Sequence, residues 1–412
     1  MGRSGVRVLL STYGSRGDVE PLVALAVQLQ VLGADVRMCT PPDEEFTELL
    51  AREGVPMVPF DRPWRSWERP PTGEERQQRV ADFIAALYAT VAEAAQGSDV
   101  ILATAMSQFV APSVAETLGI PYRYALFCPD VLDGLDGRGF DELFGIPINN
   151  HRASIGLPPV DDVGTFMFTA RPFLAADPTL GPWRGPQRFD VRQTGAWILH
   201  DERPLPAELL AFVDAGEAPV HLGFGSMRTV GEDGARAAVE AIRAQGRRVV
   251  IGRGWAGLGP VDGEDDCLVV GEVNHQELFR RVAAVVHHGG AGTMTTAARA
   301  GAPQLVVPQG GDQIYWARRV AELGIGAAHD GPTPTVQTLS DALRTALTPA
   351  TRVRALALAD SVRTDGAGTA AELLTAGAAH RHVTGQPPHP SESTSAESTA
   401  ARSRTGVSRG RP

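Results

Sequence analysis

Val285–Pro303 reads VVHHGGAGTMTTAARAGAP: an apolar run that ends in two histidines and a glycine-rich turn, followed at once by hydroxyls. Glycines at a strand–helix junction let backbone N–H groups approach an anion, and the positive end of the helix dipole adds to the attraction. Gly289, Gly290 and Gly292 would supply such a turn, Thr293 can donate from its hydroxyl, and His288 can donate from its ring. The same residues also fit a tight turn with buried histidines and no ligand. The glycine spacing is not the G-x-G-x-x-G of a dinucleotide site followed by an acid about 20 residues on. Further along, PQGGDQIYW places Asp312 and Gln313 where they can reach the hydroxyls of a neutral polyol such as a sugar. Asp312 equally suits the N-cap of the helix that QIYWARRV would form.

The composition limits what else these residues can do. The chain has no lysine, and all 38 of its basic residues are arginine. A phosphate-loop lysine and Schiff-base chemistry are therefore excluded. A bound phosphate must be held by backbone N–H groups, hydroxyls, His or Arg. The net charge of −10 argues against a nucleic-acid partner. No run of about 18 apolar residues is present to span a membrane. The start, MGRSGVRVLLSTYG, lacks the long apolar region of an export signal, so a cytoplasmic protein is expected. Cys39, Cys128 and Cys267 lack metal-ligand spacing and are expected to be reduced thiols. No metal site is expected.

Strands and helices alternate around these motifs. Val6–Thr12 reads as a strand, VEPLVALAVQLQVLG as a helix with Pro21 in its first turn and Gly33 as its stop, and Ala34–Thr40 as a second strand. That is a βαβ unit, the seed of a parallel sheet. Asp99–Ala105 and Pro121–Phe127 continue the series, and residues 129–192 are irregular and rich in Pro, Gly and Asp. A second series starts with the strand Pro219–Ser226. It continues through RRVVIGRG, DCLVVGEV, AAVVHHGG and APQLVVPQ, with helices between. The pattern predicts two doubly wound halves, one over residues 1–199 and the other over 200–379. Residues 380–412, rich in Ser, Thr, Pro and Arg, read as a disordered tail. Ligands of open α/β sheets bind beyond the carboxyl ends of the strands. Gly14–Asp18, Gly225-Ser226, His288–Thr293 and Gln309–Gln313 all fall there.

In this order and spacing, STYGSRGDVEPLVALA, GFGSM, GRGWAGL, GEVNHQELF, HHGGAGT and GGDQIYWARRVAELGIG resemble bacterial antibiotic glycosyltransferases of the glycopeptide and elloramycin types. The resemblance spans residues 6 to about 377. It implies the GT-B fold, in which two Rossmann-like domains with doubly wound parallel sheets face each other across a cleft. It further implies an inverting, metal-independent enzyme that moves a hexose or deoxyhexose from a UDP- or dTDP-sugar to a hydroxyl of a secondary-metabolite aglycone, with no other cofactor. His288 and the glycines after it would bind the diphosphate, with Ser226 nearby. The loop around Val273 would hold the nucleobase, and Asp312 and Gln313 the donor-sugar hydroxyls. Asp18, beside its first-loop neighbours Ser15 and Arg16, would be the general base. The final helix would pack back on the N-terminal domain, and a monomer or weak dimer is expected.

The chemistry agrees with this distribution of roles. Inverting transfer needs a base on the acceptor side, and positive dipoles rather than an acid for the leaving diphosphate. Asp18 also fits as a cap for the helix expected from Val19. Many relatives relay a first-loop His through an aspartate, but ATAMSQFVAPS carries no carboxylate here, so Asp18 would act directly. VLDGLDGRGFDELFGIPINN stands where relatives carry a longer Pro-rich and aromatic acceptor segment. Its shortness leaves two other readings open: a non-catalytic auxiliary relative, or a sugar epimerase that works without an aglycone.

Overall fold

A computed structural model describes residues 5–66, 74–133, 141–169, 171–185, 189–227, 232–331 and 334–384. In the first half β1 (Arg7–Tyr13), β2 (Asp35–Thr40), β3 (Met57–Pro59), β4 (Val100–Ala105), β5 (Tyr122–Leu126), β6 (Phe173–Leu174) and β7 (Arg192–Gln193) form one sheet. Its order is β3-β2-β1-β4-β5-β6-β7. In the second half β8 (Val220–Gly223), β9 (Val249–Gly252), β10 (Cys267–Val270), β11 (Ala284–His287), β12 (Gln304–Val306) and β13 (Gly326–Ala328) form another. That sheet runs β10-β9-β8-β11-β12-β13. Every ladder is parallel. Both orders grow outward from a first strand and then reverse to its other side, which is the doubly wound plan. The reversal opens a crevice between β1 and β4 in one sheet and between β8 and β11 in the other.

Burial explains the strand choice. Val8, Leu9 and Leu10 of β1 are all buried, as expected of a strand covered on both faces. Helix Arg16–Val31 covers one face through Val19, Leu22, Val23 and Leu29. Its start corrects the expected one by three residues. Ser15 is the N-cap, and Asp18 at the third helical position accepts the Ser15 N–H, so the capping pair begins the helix before Val19 and leaves Pro21 inside it.

The terminal helix, Gly366–Thr384, lies against Arg16–Val31, and its Ala367, Ala370, Ala371 and Leu374 share a core with Val8, Leu10 and Leu22. It runs past residue 380, where the disordered tail was expected to begin. Residues 385–412 of that expected tail lie outside the described residues.

The path back to the first half is pinned by Asp177, which is 1% exposed. Its Oδ1 accepts the N–H groups of Thr179 (2.8 Å) and Leu180 (3.1 Å), and its Oδ2 accepts that of Arg363 (2.8 Å). Asp177→Ala strands three backbone donors and is expected to cost about 2–4 kcal/mol. Urea denaturation checks this, and an unchanged midpoint would show that the staple is dispensable.

Candidate active site

The second-half loops meet at the β8/β11 crevice. His287 ends β11 fully buried. Its Nδ1 accepts the Gly289 N–H at 3.1 Å, which puts the ring proton on Nε2, 2.9 Å from Gln304 Oε1. The Gly289 N–H is therefore already engaged, and its part in any anion site falls to its neighbours. Gly289 is needed for its conformation: φ is +96°, and a Cβ would stand 2.8 Å from Val306 Cγ1.

His288 has a different environment. A Cβ on Gly225 would lie 3.3 Å from its Cε1, and one on Gly290 would lie 2.6 Å from its Nε2, so the ring sits between these two glycines. Its Nδ1 is buried without a hydrogen-bond partner. Burial pushes the imidazole down to about 4, so it is neutral at physiological pH. Helix Ala291–Arg299 begins beside it at Gly290 with no side-chain cap. The orphan N–H groups of that first turn, those of Gly292 and Thr293 included, are open to an anion.

The remaining second-half residues divide by burial. Ser226 follows β8 in a partly exposed turn, with Gly225 at φ +54°. The Val273 side chain belongs to the core with Leu205, Val250 and Leu278, so only its backbone is left for a ligand. Asp312 stands at the N-cap position of helix Gln313–Glu322 without a capping side-chain bond, and burial raises its pKa. Gln313 Oε1 accepts the Gln309 N–H at 2.7 Å, and its amide nitrogen lies 3.4 Å from Met227 Sδ.

The first-half loop follows β1. Asp18 Oδ2 accepts from Ser15 N (2.8 Å) and Ser15 Oγ (3.3 Å), and Oδ1 takes part in neither bond. A Cβ on Gly14 would collide with this carboxylate, so glycine is required there. Burial lifts the Asp18 pKa to about 6 against the pull of the Ser15 bonds, and the charge of Asp312 adds to the rise. The two carboxylates, 294 positions apart in the chain, thus feel each other across the cleft. Arg16 spans the same gap, with Nη1 2.8 Å from Glu272 Oε2. No motif signalled Glu272 or Glu45 as its partners in this contact.

Four histidines of the second half resist protonation. Burial holds His287 down to about 3, His275 and His288 down to about 4, and His221 well below its ordinary value. The unfolded chain, with histidines near 6.5, binds protons that the folded chain refuses, so stability falls as pH drops below 6.5 toward 4. Asp18 and Asp312 work in the opposite sense, since burial raises both carboxyls above their unfolded values, but they are two groups against four. A melting temperature that declines from pH 6.5 to 4.5 is the expected result. A flat or rising one would contradict the buried-neutral assignment.

Comparison with known proteins shows the family. Residues 8–134 match the glycosyltransferase family 28 N-terminal domain, and 264–374 the erythromycin biosynthesis protein CIII-like C-terminal domain. The solved glycosyltransferase VinC in complex with dTDP has a TM-score of 0.66 at 23% identity, with 91% of this chain and 100% of that one covered. The fold is therefore GT-B, and the chain is a glycosyltransferase. GtfE of Amycolatopsis orientalis is 52% identical over 402 residues, covering 90% of this chain and 97% of that protein. The vancomycin aglycone glucosyltransferase of the same organism is 50% identical over 398 residues, with the same coverage of each chain. This chain belongs to their family, the glycosyltransferases of antibiotic biosynthesis. These relatives favour the enzyme over the auxiliary-protein and epimerase readings. Among the described residues no helix is long and apolar enough to cross a membrane, and no group of three or more His, Cys, Asp or Glu is arranged to hold a metal.

Proposed function

We propose that this glycosyltransferase is inverting and metal-independent, and that it moves a hexose or deoxyhexose from a UDP- or dTDP-sugar to a hydroxyl of a secondary-metabolite aglycone in the cytoplasm. The observation that carries this reading is the pairing of Asp18, with its pKa near 6, and the unpartnered His288 ring beside an uncapped helix start. Residues 1–199 take the acceptor and 200–379 the donor. The acceptor oxygen attacks the anomeric carbon while its proton passes to Asp18. The bond from that carbon to the diphosphate oxygen breaks, and the electron pair leaves with the nucleotide. The His288 ring and the N–H groups of Gly292 and Thr293 hold the developing charge, with Ser226 and Gly290 shaping the cradle. Asp312 and the amide nitrogen of Gln313 take sugar hydroxyls, and the backbone at Val273 takes the base.

A panel of UDP- and dTDP-sugars incubated with glycopeptide and aromatic polyketide aglycones, read by mass spectrometry, tests the reading. A product heavier by one glycosyl unit is expected. Donor isomerised in the absence of aglycone, with no adduct in its presence, would overturn it. A chelator in the same assay should leave the rate unaltered, and a rate that collapses and returns on adding a divalent cation would contradict metal independence.

A further inference from the structure

Two contacts between the halves converge on the loops flanking the site. Arg16, two residues before Asp18, meets Glu272 through both prongs of its fork: Nη1 to Oε2 at 2.8 Å and Nη2 to Oε1 at 3.2 Å. Its Nε is held by Glu20 at 2.8 Å, so the fork cannot swing freely. Glu272 is steadied from its own half by Arg203 at 3.1 Å, and it immediately precedes Val273. Hydrogen bonding from Arg16 holds the Glu272 carboxyl down to about 2, against the opposite pull of burial.

Trp255 makes the second contact. Its Nε1 donates to Glu45 Oε1 at 2.6 Å, and the Arg65 guanidinium lies 4.7 Å from its ring centroid. Its own N–H donates to Gly225 O at 2.8 Å, and Gly225 both precedes Ser226 and packs on His288. Glu45 Oε2 stands 3.8 Å from Arg16 Nη1, which closes the chain of contacts. An unbroken path thus runs from the residue beside the base to both donor-side loops.

We propose that Arg16 and Glu272 are positioning residues for glycosyl transfer: their two-pronged pair, braced by Glu45–Trp255, sets the first loop against the donor loops at the spacing the reaction needs. The inference rests on the Asp18 reading of the site. Partly exposed ion pairs add little stability. A planar guanidinium–carboxylate fork does fix distance and angle, and a displacement of about 1 Å at a reacting centre can cost about 100-fold.

Arg16→Met and Glu272→Gln are each expected to lower kcat about 10–100-fold, with the dissociation constants of UDP and dTDP and the melting temperature near wild type. The double variant should be no slower than the slower single one, because both break the same pair. Arg16→Lys, which keeps the charge and loses the fork, should stay impaired. Hydrogen exchange of residues 14–20 should rise in Glu272→Gln. Unchanged kcat in the single variants, multiplicative losses in the double, or equal losses in kcat, nucleotide binding and melting temperature would overturn the proposal. Asp18→Asn, run alongside, separates the two readings. If it keeps normal turnover, Asp18 is not the base, while the double-variant cycle and the exchange data still decide whether the pair positions the loop.

Discussion

Asp18→Asn is expected to lower turnover by about two to four orders of magnitude, the usual span for losing a general base. The substitution suits the question because an amide oxygen can still accept the Ser15 N–H that starts the helix. The fold should survive, and nucleotide affinity should change little, since the base faces the acceptor. In the wild type, kcat/KM should decline as pH falls through about 6, where the Asp18 carboxylate takes up its proton. The Asn variant should lack that limb. Near-normal turnover in Asp18→Asn would place the base elsewhere and leave Asp18 as a capping residue alone.

His288→Ala is expected to weaken UDP and dTDP binding by about 1.5–3 kcal/mol, through loss of a hydrogen bond to a charged group. The dissociation constant would rise by about 10- to 150-fold. The ring is neutral and its Nδ1 has no protein partner, so on the proposed reading a bound phosphate would supply both the charge and the missing bond. His287→Ala should behave differently. It removes the acceptor of the Gly289 N–H and the partner of Gln304, so its cost falls on folding. Isothermal titration of both variants against both nucleotides distinguishes the roles. Unchanged affinity in His288→Ala would make that histidine structural as well.

Much of this arrangement is legible in the chain before any coordinates. The apolar runs of β1, β8 and β11 end in glycine-rich turns, and the doubly wound plan puts such ends at the two crevices. What escaped reading was set by contacts too short or too distant to leave a periodic trace. β6 and β7 are two residues each, below any detectable alternation. The helix start at Arg16 depended on weighing Ser15 and Asp18 as a capping pair, a signal that was present in SRGD. Adjacent histidines of identical type divide into one buried partner of Gln304 and one free ring, and only the β11–β12 pairing decides which is which. Arg16 meets Glu272 across 256 positions, and no local pattern anticipates that meeting.

The stereochemistry of the product tests the central claim most directly. With an α-linked nucleotide sugar as donor, NMR of the purified glycoside should show a single β-configured anomeric centre, as one displacement assisted by a first-loop carboxylate requires. An α-linked product would mean two displacements or attack from the face of the leaving group, and would contradict the assignment of Asp18 as the sole base opposite the diphosphate cradle.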